Sequence, residues 1–201
     1  MGNRCTEEDF LRCVAGHVMQ IVKDDGTHRH IRYRTPGDFE AWFDVLTWPD
    51  YLCITGDYGT FVFQRAPDMF NFFRGKADGG LRINPRYWSE KVRAADHPHG
   101  GVKEYSPEKF AEYVKDYFDD YIAEDMTEEE RAERWEQIED NVLGAGESEI
   151  TARQAVADFG DFWDFWERDL TEFTYRFIWC LYAIVWAIRQ YDASKAENKA
   201  A

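Results

Sequence analysis

The chain has 201 residues, 44% hydrophobic and 17% aromatic, which supplies a folded core and argues against disorder. Its formal charge of −15 is unevenly placed: residues 1–105 carry 14 Lys/Arg against 15 Asp/Glu, whereas residues 106–201 carry 10 against 24. So acidic a half repels phosphate backbones, which argues against direct nucleic-acid binding and for a basic protein partner.

A short helix is predicted over Glu7–Gly16, with Phe10, Leu11 and Val14 inward. Val18–Val22 and His28–Tyr33 flank the turn residues Asp24-Asp25-Gly26. Trp42–Trp48, Tyr51–Thr55 and Thr60–Gln64 follow, separated by Pro49-Asp50 and by Gly56-Asp57-Tyr58-Gly59. Leu52/Ile54 and Phe61/Phe63 alternate as half-buried strands do. An antiparallel sheet of four to five strands is therefore expected over residues 18–65. Pro67 suits the first turn of a helix Asp68–Arg74, and Asn84-Pro85 opens another that runs to Val92.

Ser106-Pro107 is a helix start, with Ser as N-cap and Pro at the first helical position. Beyond it Phe110, Tyr113, Val114, Tyr117, Phe118 and Tyr121 form one apolar stripe. Thr127 and Glu130 make a capping box for the next helix, buried through Trp135, Ile138 and Val142 and ended by Gly144 and Gly146. A short helix over Thr151–Phe159 precedes a last one, Leu170–Tyr191, which is apolar on nearly every side. Such a helix has to be surrounded, and it is placed against the sheet as the spine of the core. The polar tail, residues 193–201, is expected to fray. The fold class is thus α+β, read as a single domain over 1–201, with acidic helices over 106–143 between the sheet and the buried helix.

Cys5, Cys13, Cys53 and Cys180 are scattered, which fits a reducing cytoplasm better than a disulfide framework or a zinc site. Phe177–Ile188, the longest uncharged apolar stretch, has twelve residues, against the roughly 20 that a membrane span needs. Met1-Gly2-Asn3-Arg4-Cys5-Thr6 fits the short N-myristoylation pattern, but Glu7, Glu8 and Asp9 would repel an anionic membrane. No membrane association is expected.

The sharpest pattern is acidic. Glu129, Glu133, Glu136 and Asp140 recur at i, i+4, i+7 and i+11, opposite Trp135 and Ile138, and Glu112, Asp116, Asp119 and Asp120 likewise share a face opposite Phe110 and Tyr117. Between Ser106 and Glu172 there are 22 acids and 6 bases. The plain reading is the solvated face of an acidic protein. The functional one is a surface shaped for a basic groove, because carboxylates about 6 Å apart along a helix can occupy sites built for phosphates.

Other constellations are weaker. His28/His30 and His97/His99 are His-x-His pairs without a third ligand, so no metal or cofactor is expected. No nucleophile elbow, phosphate loop or dinucleotide fingerprint is present, and acid pairs such as Asp161 and Asp164 are too numerous to single out, so no catalytic residue is assigned. Thr55–Thr60 reads as a tight hairpin turn. The alternative is a small-ligand or nucleotide pocket between sheet and last helix, lined by Tyr51, Asp57, Tyr58 and Trp88.

Three stretches together carry a resemblance: Thr47–Phe63, with Trp48-Pro49-Asp50-Tyr51 and Gly56-Asp57-Tyr58-Gly59; Ile83-Asn84-Pro85-Arg86-Tyr87-Trp88; and Phe177–Asp192. In this order the chain, from about residue 42 onward, resembles a family of small, functionally unassigned accessory proteins of tailed bacteriophages and prophages. The motifs are mainly aromatic and structural, and they bring no catalytic residues with them. The resemblance implies a factor acting on host machinery in the bacterial cytoplasm. By analogy with acidic phage inhibitors it implies an anti-defence protein, directed at a CRISPR–Cas or restriction complex with a basic nucleic-acid groove.

Overall fold

A computed structural model describes residues 4–75, 79–97, 100–163 and 165–200. The protein is α+β. Among the described residues, packing divides the chain into two compact units: Lys103–Glu172, and the segment before it, through Val102, together with Phe173 onward.

The discontinuous unit opens with α1 (Glu7–Cys13). Thr6 Oγ1 accepts the Asp9 amide at 3.1 Å, and the Asp9 carboxylate accepts the Thr6 amide at 3.3 Å, so both ends of a capping box are made. Then come β1 (Val18–Asp25), β2 (His28–Arg34), β3 (Phe43–Trp48), β4 (Tyr51–Gly56) and β5 (Gly59–Gln64). Three hairpins join β1 to β2 and β3 to β4 to β5, turning through positive φ at Gly26 (60°), Asp50 (71°) and Gly59 (98°). At Gly56 a Cβ would lie 2.2 Å from the Trp42 carbonyl oxygen, so only glycine fits.

Helix α2 (Met69–Phe73) is capped by Asp68, whose side chain accepts the Phe70 amide. Pro67 therefore precedes the cap and is not in the first turn. Helix α3 (Pro85–Ser89) stops before Val92, which instead begins β6 (Val92–Ala95), paired antiparallel with β5. The sheet thus has six strands, not four to five, in the order β1-β2-β3-β4-β5-β6.

The inserted unit follows in sequence. It contains β7 (Lys103–Tyr105), α4 (Pro107–Tyr117), α5 (Glu128–Asn141), α6 (Glu149–Phe159) and β8 (Thr171–Phe173), the last ending one residue beyond it and pairing with β7. Ser106 and Thr127 cap α4 and α5 as the sequence predicts. Helix α4 runs into a π-turn over Phe118–Ile122, closed by the Ala123 amide on the Phe118 carbonyl at 2.9 Å. The extra residue of a π-turn rotates the register, so the apolar stripe passes from Phe118 to Ile122 and Ala123, and Tyr121 is turned out, 64% exposed. Phe110, Val114, Phe118, Ile138, Val142, Ala152, Val156, Phe162, Phe165 and Leu170 belong to a separate small core.

Helix α7 (Tyr175–Ala200) returns to the first unit. It starts later than expected because residues 171–173 are spent on β8, and Thr174 Oγ1 accepts the Phe177 amide at 3.1 Å. It also runs past Tyr191, to Ala200. Arg74 pairs with Asp192, Lys195 with Asp24, and the Ser194 hydroxyl donates to the Tyr191 carbonyl.

Ile31, Tyr33, Phe43, Val45, Leu52, Ile54, Phe61 and Phe63 bury the inner sheet face, and α7 is covered by β5, α1 and α2. At its centre Trp179 meets Tyr58, Phe10 and Phe43 at ring-centroid distances of 4.1, 5.1 and 5.5 Å. Tyr33 donates its hydroxyl to the Ala187 carbonyl at 2.8 Å.

On the other sheet face Asp44, 4% exposed, accepts Arg32 through Nε and Nη2, both at 2.8 Å, and lies 2.7 Å from His30 Nε2. Burial pushes the Asp44 carboxyl up, but the hydrogen bonds and charges of Arg32 and His30 outweigh it and hold the carboxyl below the usual range. A depressed folded pKa gives stability that is complete above about pH 4 and lost as pH falls through the folded value. Asp44→Asn is therefore expected to cost about 1–3 kcal/mol at pH 7. The penalty, read from urea midpoints, should shrink below about pH 4; a penalty constant down to about pH 2.5 contradicts the assignment.

Candidate protein-binding surface

Charge separates along the same line as packing. Lys103–Glu172 holds 7 Lys/Arg against 23 Asp/Glu, a net of −16, and the rest of the sequence holds 17 against 16, a net of +1.

The surface is built from α5 outward. Its capping box sets the register, Ile138 and the C-cap residue Val142 are buried, and Trp135 is half-buried against Phe118 at 5.1 Å. Glu129, Glu133, Glu136 and Asp140 are consequently exposed. None of the four has an ion pair or side-chain hydrogen bond among the described residues. The bases of the same helix are directed elsewhere: Arg131 pairs with Asp119 and lies 5.5 Å from the Phe118 ring, and Arg134 reaches Asp161 and sits 4.3 Å over Phe159. Guanidinium stems so used cover apolar surface and leave the opposite face uncompensated.

On α4 and its π-turn the expected set divides. Glu112, Asp116 and Asp120 are exposed and unpaired among the described residues. Asp119 is not part of the open surface: it accepts Lys115 at 2.9 Å and pairs with Arg131, and the Lys115 hydrogen bond chiefly holds its carboxyl down. Lys115 also lies 4.6 Å over Trp135.

Two exposed rings that sequence patterning does not single out belong to the same unit. Trp163 is 83% and Trp166 56% exposed. The Trp163 amide donates to the Tyr117 hydroxyl at 3.1 Å, and Tyr117 packs on Tyr121 at 4.9 Å and on Phe162 at 5.2 Å. The backbone at Trp163 is thereby tethered to the last residue of α4, next to Asp116. The available signal was local: rings that follow Gly160 with neither helical stripe nor strand alternation. Exposed tryptophan and unpaired carboxylate within one unit suit a protein interface, where aromatic anchors and charge act together.

The alternative set does not converge. Tyr51 opens β4 and stacks on Trp48 at 5.2 Å, whereas Tyr58 lies in the turn beyond the other end of that strand, stacked on Trp179. Asp57 is exposed, and its carbonyl accepts Arg176 at 2.8 Å. Trp88 is buried on Phe73 at 4.9 Å. The space between sheet and α7 is occupied by Phe43, Phe61, Phe177 and Trp179.

His30 is engaged by Asp44, and His99, Asp164 and Met1-Gly2-Asn3 lie outside the described residues. Among the described residues no three His, Cys, Asp or Glu side chains are grouped to hold a metal, and no helix is long and apolar enough to cross a membrane. Compared with protein families, curated proteins and solved structures, the chain shows no match.

Self-repulsion within a unit of net −16 opposes its own folding and is screened by salt. The melting temperature is expected to rise by several degrees between about 0.02 and 0.2 M NaCl, as the Debye length contracts. The rise should shrink in a Glu129→Gln/Glu133→Gln/Glu136→Gln/Asp140→Gln variant. A salt response unchanged by these substitutions contradicts the uncompensated face.

Proposed function

We propose that this chain binds and inhibits a nucleic-acid-handling protein by presenting the acidic face of residues 103–172 to that protein's basic groove. The observation that carries the reading is the partition of charge: a net of −16 in one packing unit and +1 in the other, with Glu129, Glu133, Glu136 and Asp140 exposed and, among the described residues, unpaired.

The mechanism follows from the geometry. Carboxylates one helical turn apart repeat every 6 Å or so and can engage Arg and Lys that otherwise bind phosphates. Binding releases counterions from the acidic face and denies the groove to its usual ligand, so inhibition needs no chemistry. Long-range attraction speeds encounter, and Trp163 and Trp166 supply the desolvated contacts that charge alone lacks. Phage origin, suggested by the resemblance in the sequence, makes a host CRISPR–Cas or restriction complex the target and the bacterial cytoplasm the place of action.

The test is efficiency of plating on strains that carry such systems. Expression of the chain should raise the plating of a targeted phage by orders of magnitude on at least one strain. The Glu129→Lys/Glu133→Lys/Glu136→Lys/Asp140→Lys variant, with unchanged circular dichroism, should lose that protection. No protection on any system, or protection that survives the charge reversal, contradicts the proposal.

A further inference from the structure

A second candidate site lies in the other unit. The connection between β2 and β3 leaves a cavity of about 320 Å³ lined by Arg32, Arg34, Asp38, Phe39 and Trp42. Its wall is fixed to the scaffold: His17 Nε2 lies 2.8 Å from the Ala41 carbonyl oxygen, His17 Nδ1 lies 3.2 Å from Thr35 Oγ1, and the Trp42 carbonyl accepts the Asp57 amide at 3.2 Å. Ala41, a residue with a Cβ, is held at φ 56° immediately before Trp42. Strain of this kind persists only where the surroundings enforce it.

The lining chemistry is specific. Arg32 lies 5.9 Å from the Trp42 ring centroid and commits Nε and Nη2 to Asp44, which leaves Nη1 without a hydrogen bond among the described residues. Arg34 is exposed and has no acidic partner there. A guanidinium free to fork onto two oxygens is a phosphate ligand. Phe39 is 82% exposed, although it lines a concavity beside a second ring. An unspent aromatic face next to a tryptophan and two guanidiniums favours a flat, electron-rich ring. Asp38 uses Oδ1 to accept the Glu40 amide at 3.0 Å, and its Oδ2 remains available to accept a hydroxyl or amino proton.

We propose that this cavity binds a mononucleotide: the base on Phe39 and Trp42, the phosphate on Arg34 with Arg32, and a ribose hydroxyl or base N–H on Asp38. The volume matches the lower end of small-ligand pockets. The same nucleotide unit could come free or within a strand, and a short oligonucleotide distinguishes the two sources. This site belongs to the other packing unit and does not depend on the proposed inhibition.

Isothermal titration of the full chain with AMP, GMP, CMP and UMP is the test, with inorganic phosphate, the free nucleosides and a thymidine hexanucleotide as comparisons. At least one mononucleotide should saturate at one per chain, more tightly than phosphate or its nucleoside. Arg34→Gln should weaken it by roughly tenfold or more, and Phe39→Ala by about fivefold or more. Both side chains are exposed, so circular dichroism and the melting temperature should not move. The proposal is overturned by no saturable mononucleotide binding up to about 1 mM, by binding indifferent to both substitutions, or by binding seen with the hexanucleotide alone.

Discussion

Seven basic side chains share Lys103–Glu172 with 23 acids, and the seven are engaged within that unit. Lys103 holds Asp169, Lys115 and Arg131 converge on Asp119, Arg134 reaches Asp161, and Arg153 pairs with Glu149. Lys109 donates to the Thr171 carbonyl at 3.1 Å, and Arg168 lies 5.7 Å from the Tyr113 ring. Using the bases this way fastens α4, α5, α6 and the 160s loop around a small core. It leaves the outer carboxylates without counter-charges of their own, and the functional reading depends on that shortfall.

A single apolar helix places different demands on the other unit. With Trp179, Leu181, Ile184, Val185 and Ile188 all buried, α7 cannot rest on one surface. The sheet supplies one wall, and Phe10 of α1 and Met69, Phe70 and Phe73 of α2 supply others. Charge here is balanced in local pairs. Arg29 lies 2.9 Å from Asp68 and 4.5 Å over Phe70, and the outer-face pair of Arg32 and Asp44 sets one side of the β2–β3 cavity. One unit therefore carries an open electrostatic surface, and the other carries aromatic packing with a small polar cavity.

Much of the fold was legible because it is specified locally. Ser106, Thr127 and Asn84 announce helix starts through side chains that accept amides two or three residues on. Leu52/Ile54 and Phe61/Phe63 show the strand period within a few residues. What was missed depends on distant partners. Val92–Ala95 is a strand because β5 offers it an edge, and Thr171–Phe173 because Lys103–Tyr105 lies beside it. Neither pairing leaves a periodic trace in so short a segment. The π-turn that exposes Tyr121 breaks a stripe that a constant helical period carries straight through.

The site was legible to a similar degree. Helical spacing places Glu129, Glu133, Glu136 and Asp140 outward, but spacing cannot show that Asp119 meets Arg131 from another helix. Nor could it show that Tyr51 and Tyr58 lie at opposite ends of one strand, or that Trp163 is held in the open by Tyr117. The most direct measurement of the central claim is competition on a defence nuclease of the kind proposed as the target, with labelled target DNA followed by electrophoretic mobility. Acidic occupancy of the groove predicts displacement of the DNA, with more protein required as salt rises. A slower-migrating complex that contains nuclease, DNA and this protein together would show that the acidic face is not in the groove.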